Sequence, residues 1–385
     1  MQLIYMNHSH KIKTALSLLA MFVVTRAVLI FVGVTSISHL PITLGTEYKR
    51  LNTTYLLDMW YRWDAGFYTS IATHGYQWFN TQEPKADIAF LPLYPLTIRS
   101  MNFVSGCSEA TCTVITGLIV SNAALLGSVY LLYNLIIEHT KDKIAYRAVW
   151  LLLLTPNSIF LSGIYTEALF LFLSLLVFWA LKKEKFFVAV FAASFACITR
   201  TVGLSLCLPL LVTAWKQPMR QRKIRLVSAH IPLLVFGGYL AFTGFMTNDW
   251  LAYFHANAQI WERPLIHAPW ELITIYFSGE SVSLWGWKLS WIDLIFTITY
   301  VFLAFTVWIK YHDLGFFGFA LFATLIPIAS GTLVAMPRYG AVIFPYYMVI
   351  AEWADRKWQQ FIVFALSILL MILFTTRFVT WHWIA

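Results

Sequence analysis

A single acidic residue, Asp64, lies among aromatic residues in the segment WYRWDAGFYTSIATHGYQ, which begins at Trp60. A lone aspartate is usually a helix cap or a solvated surface charge. A carboxylate with apolar neighbours can instead act as a general base, because it can be held against the proton that it removes. The position of Asp64 therefore indicates a carboxylate that could deprotonate a bound hydroxyl group.

Ionised side chains also interrupt the apolar parts of the sequence, where they are costly and usually functional. Arg26 lies in the middle of an apolar run, and Glu167, Arg200 and Arg338 lie at the ends of others. Arginine binds phosphate through paired hydrogen bonds, so the set predicts a site for a phosphate-bearing lipid headgroup. Two other interpretations remain open: anchoring of each arginine to lipid phosphate at the membrane surface, and a structural ion pair between Arg26 and a carboxylate such as Glu167.

The composition indicates which elements position these residues. The 385 residues are 59% hydrophobic and 12% charged, whereas soluble domains have about 25% charged residues. Several apolar runs approach the ~20 residues that cross a bilayer, and no cleavage site follows the first, so it should remain as a span. The net charge of +9 fits cytoplasmic loops of a membrane protein, and we predict no nucleic-acid partner. Residues 1–385 are expected to form one all-α polytopic membrane domain.

Eleven spans are predicted from the apolar runs. They are residues 13–34, 113–137, 147–163, 166–181, 186–199, 202–215, 226–246, 291–309, 314–334, 339–352 and 361–379. The run 148–181 would be roughly 51 Å long as one helix, against a bilayer core of about 30 Å. A break between Pro156 and Glu167 makes it a hairpin, and a break near Arg200 and Gly203 does the same for 186–215.

The hairpins place Lys182, Lys183 and Lys185, with most other lysines and arginines, on the cytoplasmic side, as the positive-inside rule requires. We therefore predict an inner-membrane protein with its N-terminus inside and its C-terminus outside. Residues 35–112 and 247–290 then form two large outer loops, which are too long to be simple connections. In the first loop, Trp60, Trp63, Phe67 and Ile71 have helical spacing, which predicts an interfacial helix that carries Asp64.

The cysteines and acidic residues bear on disulfide formation and metal binding. Cys107 and Cys112 lie in the first outer loop and could form a disulfide or remain as two thiols, whereas Cys197 and Cys207 fall in apolar runs and should be inert. No cysteine or histidine spacing fits a zinc site, and the outer loops contain no Asp-X-Asp pair. We predict that the protein requires no metal and no other cofactor.

Several motifs, in this order, resemble those of the PIG-V family, which comprises the second mannosyltransferase of GPI-anchor assembly and its bacterial and archaeal relatives. The motifs are Trp63-Asp64-Ala65 with Ile71-Ala72 and Gly75-Tyr76; residues 89–96 with Arg99; residues 156–160 with Tyr165-Thr166-Glu167; Thr199-Arg200 with Gly203-Leu204; Phe254, Gln259, Trp261 and Arg263; and Pro337-Arg338-Tyr339 with Phe344-Pro345. The resemblance covers about residues 15–350. Thr201-Val202 replaces the family's Ser-Asn, which puts an acceptor contact by that asparagine in doubt.

The resemblance implies a GT-C type glycosyltransferase that takes mannose from polyprenyl-phosphate mannose on the outer side of the membrane. It implies that Asp64, which matches the aspartate of the family's first outer loop, is the catalytic base, and that the partners are the lipid-linked donor, a lipid or glycan acceptor and membrane lipids. The expected phosphate ligands are Arg200, Arg338, Arg263 and Arg62, with Arg99 and His74 as weaker candidates. The remaining expected site residues are Trp63, Tyr76, Tyr94, Tyr165, Glu167, Gln259 and Arg26.

Two other classes of function fit parts of the sequence. A transporter or flippase for lipid-linked sugars would also have interrupted helices, but such proteins often contain repeats, and none is visible here. A non-catalytic scaffold of a membrane complex is the third possibility. Large outer loops with an isolated aspartate and several arginines favour the enzyme.

Overall fold

The computed structural model describes residues 2–42, 51, 54–77, 86–107, 109–138, 140–260, 263, 269–278, 282–285 and 289–384. Across these residues the chain forms nineteen α-helices, two 3₁₀ turns (Ala86–Ala89 and Thr201–Leu206) and no β-strand. The helices are α1 (Gln2–His39), α2 (Tyr55–Asp58), α3 (Ala65–His74), α4 (Leu93–Ser105), α5 (Ala110–Ile137), α6 (Asp142–Leu153), α7 (Ser158–Ser162), α8 (Glu167–Lys182), α9 (Phe186–Cys197), α10 (Cys207–Trp215), α11 (Met219–Ser228), α12 (Ile231–Thr247), α13 (Ala252–Ile260), α14 (Pro269–Tyr276), α15 (Trp291–Tyr311), α16 (Leu314–Ala329), α17 (Met336–Gly340), α18 (Pro345–Trp353) and α19 (Lys357–Val379).

Five helical segments in the described ranges are long and apolar enough to cross a membrane. They are His10–His39, Ala110–Ile137, Met219–Thr247, Trp291–Tyr311 and Lys357–Val379. The other predicted spans coincide with shorter helices, such as α9, α10 and α16. The chain is thus an all-helical multi-pass membrane protein, and the number of eleven spans stays a prediction.

The long apolar run 148–181 is broken where Pro156 interrupts it. Helix α6 ends at Leu153 and α8 begins at Glu167, with the short α7 between them. Arg26 of α1 satisfies this break: its guanidinium donates hydrogen bonds to the Leu153 carbonyl and to the hydroxyls of Ser158 and Ser162, each 2.6 Å long. Carbonyl groups at a helix end lack helical partners, so Arg26 stabilises the interruption. The ion pair considered between Arg26 and Glu167 is wrong, and serines take the place of the carboxylate.

The second long run, 186–215, is broken at the 3₁₀ turn between α9 and α10. Gly203 in this turn lies against the end of α9, and a Cβ atom added to it would come within 2.5 Å of the backbone of Ala196. No larger side chain fits there without moving the backbone. This close approach fixes the turn that carries Arg200.

A continuous apolar core holds these interruptions at one end of the helices. Helix α8 packs between α5 and α9, α15 packs against α16, and α1 packs against α19. Phe170, Phe319 and Phe344 are completely buried in the core. The broken ends before α8, after α9 and before α17 are thereby brought together.

The first large loop folds into α2, α3, a 3₁₀ turn and α4 in its described parts. The helix predicted from the spacing of Trp60, Trp63, Phe67 and Ile71 begins later than expected: α3 starts at Ala65, and Trp60 and Trp63 precede it. Cys107 and Cys112 form a disulfide bond that joins the end of α4 to the start of α5, which selects one of the two alternatives left open by the sequence. Cys197 and Cys207 are buried free thiols.

Candidate active site

A cavity of about 400 Å³ lies where the first loop, the helix breaks and the second loop meet. The lining side chains come from both large loops, the helix breaks, the turn before α17 and the segment after α19. They include Asp64, Tyr68, Phe90, Thr166, Arg200, Thr201, Tyr253, Asn257, Arg263, Tyr276, Arg338, Tyr339 and Trp383. Its volume falls in the range of small-molecule sites, roughly 300–1,000 Å³.

Asp64 is positioned by an unusual backbone turn. The preceding residue, Trp63, has φ +50°, a left-handed conformation that is uncommon for a large side chain. Such strain persists where the surroundings fix it, often at functional sites. The Trp63 ring is fixed by Trp381 and Trp383, with ring centroids 5.3 and 5.4 Å away. Asp64 then lies directly before α3 with its side chain 19% exposed.

Four charged side chains form a continuous network at the cavity. Arg338 donates from Nη1 to Asp64 Oδ2 over 2.7 Å and from Nε to Glu167 Oε1. Glu167 Oε1 also accepts a hydrogen bond from Arg200 Nη1, which donates to Thr166 Oγ1 over 3.0 Å as well. Two carboxylates therefore hold two guanidinium groups in place.

The backbone around Arg338 is fixed as firmly as that around Asp64. Ala335, three residues earlier, has φ +69°, and Arg338 follows in the first turn of α17. Gly340 lies so close to the ring of Tyr300 that an added Cβ atom would be 1.9 Å from it. Burial alone would lower the pKa of Arg338, but the Glu167 and Asp64 carboxylates outweigh it and raise the pKa well above its usual value. Arg338 thus remains charged.

A third arginine gives the cavity an excess of positive charge. Arg263 donates to Ser330 Oγ over 3.1 Å and to the Val334 carbonyl over 2.9 Å. No carboxylate of the described chain lies within ion-pair distance of it. Arg263 and Arg200 both lie over the ring of Tyr339, at 5.4 and 4.9 Å. Among the described residues of the site, three arginines stand against two carboxylates, which favours an anionic ligand.

Neutral hydrogen-bonding groups cover much of the remaining wall. Burial raises the pKa of Tyr68 and Tyr253, and it raises the pKa of Tyr276 to about 12. These phenols therefore stay protonated at neutral pH and can donate hydrogen bonds. With Asn257 they offer the groups that a polyhydroxylated ligand requires.

Arg62, predicted to bind phosphate, does not reach the cavity. It is 1% exposed, pairs with Asp58 over 2.7 Å and donates to the Val379 carbonyl over 3.1 Å. Its guanidinium also lies 5.1 Å from the ring of Trp381. The structure therefore replaces the predicted ligand role with a structural one, which ties the first loop to the end of α19. The sequence contained a signal for this pairing, because Asp58 and Arg62 have i,i+4 spacing.

Other predicted residues support the site from behind. Tyr165 donates to the Arg62 carbonyl over 2.7 Å, and its ring lies 4.7 Å from the Arg338 guanidinium. Tyr94 is fully buried against Ser121, and the Tyr76 hydroxyl donates to the Phe90 carbonyl over 2.6 Å. Gln259, Arg99 and His74 are exposed and do not line the cavity, and Trp261 lies outside the described residues.

The sequence reasoning missed some lining residues, chiefly Tyr68, Tyr253, Asn257 and Trp383. Tyr68 lies four residues after Asp64 on α3 and could have been found from helical spacing. Trp383 follows the last predicted span in the segment TWHWIA. No pattern in the sequence linked that segment to Asp64.

Solved structures with a similar course of the chain include two of the oligosaccharyltransferase of Archaeoglobus fulgidus. For the apo form, the sequence identity is 11% and the TM-score is 0.46. The matched region covers 93% of the present chain and 56% of the archaeal chain. The second structure shows that protein, AglB, in complex with an inhibitory peptide and a dolichol-phosphate. The identity is 12%, the TM-score is 0.44, and the matched region covers 94% of the present chain and 55% of the archaeal chain. The present chain thus spans just over half the length of these proteins.

No curated protein matches the sequence. The family model described as mannosyltransferase (PIG-V) matches residues 15–277, which is more than half of the 385 residues. The match includes Asp64, Glu167, Arg200 and Arg263. The chain therefore belongs to the mannosyltransferase (PIG-V) family of glycosyltransferases.

Proposed function

We propose that this protein transfers mannose from polyprenyl-phosphate mannose to a hydroxyl group of a lipid or glycan acceptor. The observation that carries the proposal is the position of Asp64, a carboxylate on the wall of a cavity that three arginines also line. The family membership supports the class of reaction.

In the proposed reaction, Asp64 accepts the proton of the acceptor hydroxyl. The oxygen then attacks the anomeric carbon of the mannose, and the bond from that carbon to the phosphate oxygen breaks with its electrons remaining on the phosphate. Attack from the opposite face inverts the centre, so a β-linked donor gives an α-glycoside. General-base assistance contributes about 10²- to 10⁴-fold in rate.

The leaving phosphate requires positive charge, which Arg338, Arg200 and Arg263 supply in this proposal. Charge placed in advance near a developing anion is usually a large part of catalysis. No metal ion is needed in this scheme, and the guanidinium groups take its place. A chelator such as EDTA should then leave the rate of transfer unchanged.

The ion pair between Asp64 and Arg338 also suggests an order of binding. Arg338 occupies Asp64 Oδ2 with a charge-assisted hydrogen bond of 2.7 Å. A phosphate that binds Arg338 competes with Asp64 for the guanidinium and leaves Asp64 Oδ2 free to accept a proton. The donor therefore binds before the acceptor in the proposed cycle.

The site is proposed to face the outside of the inner membrane, with the N-terminus in the cytoplasm. The disulfide between Cys107 and Cys112 supports this orientation of the first loop, because disulfides persist in oxidising compartments. The distribution of lysine and arginine supports it independently.

The decisive experiment replaces Asp64 with Asn in the full-length protein, purified or in membranes, with radiolabelled polyprenyl-phosphate mannose and a native lipid extract. Asp64→Asn should lower transfer about 10²- to 10⁴-fold while donor binding persists. Asp87→Asn is the matched control, since Asp87 belongs to the same loop but does not line the cavity. Normal turnover of Asp64→Asn would remove the assignment, and movement of the donor across the membrane without transfer would select a flippase instead.

A further inference from the structure

The segment after α19 folds back onto the cavity that holds Asp64. Trp381 is buried against Trp63, Trp383 lines the cavity, and Ile384 is 3% exposed within the core of the first loop. These residues lie beyond the part of the chain that the family model matches, residues 15–277. The segment is thus an additional wall of the site that the family match does not describe.

Arg377, near the end of α19, holds this segment in place. Its Nε and Nη2 atoms donate to the Trp383 carbonyl over 3.3 and 3.1 Å. The Arg377 guanidinium also lies 4.3 Å from the centre of the Trp285 ring. The Arg377 hydrogen bonds and the buried Ile384 therefore hold the backbone of Trp383 in place.

The indole of Trp383 lies on the same wall as the proposed base. Its ring meets the Trp63 ring edge to face at a centroid distance of 5.4 Å, and Trp63 directly precedes Asp64. Asp64 must face the reacting carbon of the sugar through the acceptor oxygen. A donor with its anomeric carbon next to Asp64 would bring its sugar ring, and not its polyprenyl chain, towards Trp383, since both residues line the cavity.

We propose that Trp383 is the platform on which the hexose ring of the donor stacks, an inference that rests on the proposed glycosyl transfer. A hexose has an apolar C–H face and a rim of hydroxyl groups. The cavity pairs an indole with the amide of Asn257 and the hydroxyl of Tyr68, which match the face and the rim. Trp383 in this role orients the anomeric carbon between Asp64 and the arginines.

The test compares two ligands that differ only in the sugar: polyprenyl-phosphate mannose and polyprenyl phosphate. Their dissociation constants are measured with the full-length protein in nanodiscs, and transfer is measured in parallel. Trp383→Leu should weaken binding of the mannose-bearing lipid about threefold to tenfold, the worth of one aromatic contact, and leave binding of polyprenyl phosphate unchanged. Trp383→Phe, which keeps a ring, should lose less.

Trp358→Leu is the matched control, because Trp358 lies at the opposite end of α19 and is 53% exposed. It should bind both lipids as the wild type does. If Trp383→Leu weakens the binding of both lipids equally, the indole only packs the wall of the cavity. If the variant binds both lipids as the wild type does, the indole does not contact the donor. Either result overturns the inference. If the wild type transfers mannose in those cases, the proposed function stands without the platform, whereas a wild type that neither binds nor transfers mannose refutes both.

Discussion

Glu167 offers the sharpest test of how the site is built, because one of its oxygens holds two arginines. The side chain is completely buried, and Oε1 accepts hydrogen bonds from Arg200 and Arg338. Its other oxygen, Oε2, has no hydrogen-bond partner among the described residues. Glu167→Gln keeps the shape of the side chain and removes the charge, so Asp64 becomes the only carboxylate of the described residues that pairs with either guanidinium group.

The size of the effect follows from these contacts. An amide oxygen can still accept both hydrogen bonds, so the loss comes from the missing negative charge. Removal of one charged partner from a buried ion pair costs about 3–5 kcal/mol. A typical domain is stable by about 5–15 kcal/mol. Glu167→Gln should therefore lower the free energy of unfolding by a large fraction and abolish transfer, because Arg338 loses its fixed position.

The assay is thermal unfolding of the purified protein in detergent, together with transfer from the labelled donor. The double variant Glu167→Gln/Arg200→Met restores charge balance, since the remaining Asp64 and Arg338 neutralise each other. Replacing a buried ion pair with uncharged side chains is often neutral for stability, so the double variant should unfold at a higher temperature than Glu167→Gln and still fail to transfer. The reasoning is refuted if Glu167→Gln unfolds at the wild-type temperature, or if the double variant is as unstable as the single one.

Further predictions concern packing, topology and metal dependence. Gly203→Ala should reduce the yield of folded protein and the rate of transfer, because the new Cβ atom would lie 2.5 Å from the Ala196 backbone. Gly237→Ala is the control and should be neutral, since no atom lies within 4 Å of its added Cβ. Equal yields of the two variants would contradict this prediction. An impermeant maleimide added to intact cells should label Cys107 and Cys112 only after reduction and leave the buried Cys197 and Cys207 unlabelled; labelling only after lysis would reverse the orientation. EDTA should leave transfer unchanged, and recovery of a lost activity by Mg²⁺ or Mn²⁺ would show that a metal takes part.

Much of the architecture could be predicted from apolar run lengths and special residues. The breaks in 148–181 and 186–215 follow from the mismatch between run length and bilayer thickness, with Pro156 and Gly203 at the breaks. The gathering of Glu167, Arg200 and Arg338 was expected from their position at ends of apolar runs, and Asp64 was expected on the same face because it lies in the first outer loop. The helix beside Asp64 starts at Ala65, later than the aromatic spacing predicted. Aromatic residues at helical spacing also suit a turn that packs into a core.

The failures concern contacts between residues that are far apart in sequence. One interpretation of Arg26 was an ion pair with a carboxylate, but hydroxyl and carbonyl groups of the broken helix are its partners. Arg62 was predicted to bind the donor phosphate, yet its guanidinium donates to Asp58 and to the Val379 carbonyl at the end of α19. Trp383 was overlooked, since only the packing of α19 against α1 and Arg377 brings it to the first loop.

The pairing of Asp64 with Arg338 joins residues 274 positions apart. During synthesis, Asp64 leaves the ribosome long before the segment that holds its partner. A chain arrested after residue 277 would already contain the carboxylate, Glu167 and Arg200, but neither Arg338 nor Trp383. The ion pair therefore cannot form before residue 338 has been synthesised, and a chain that stops earlier lacks part of the wall of the cavity.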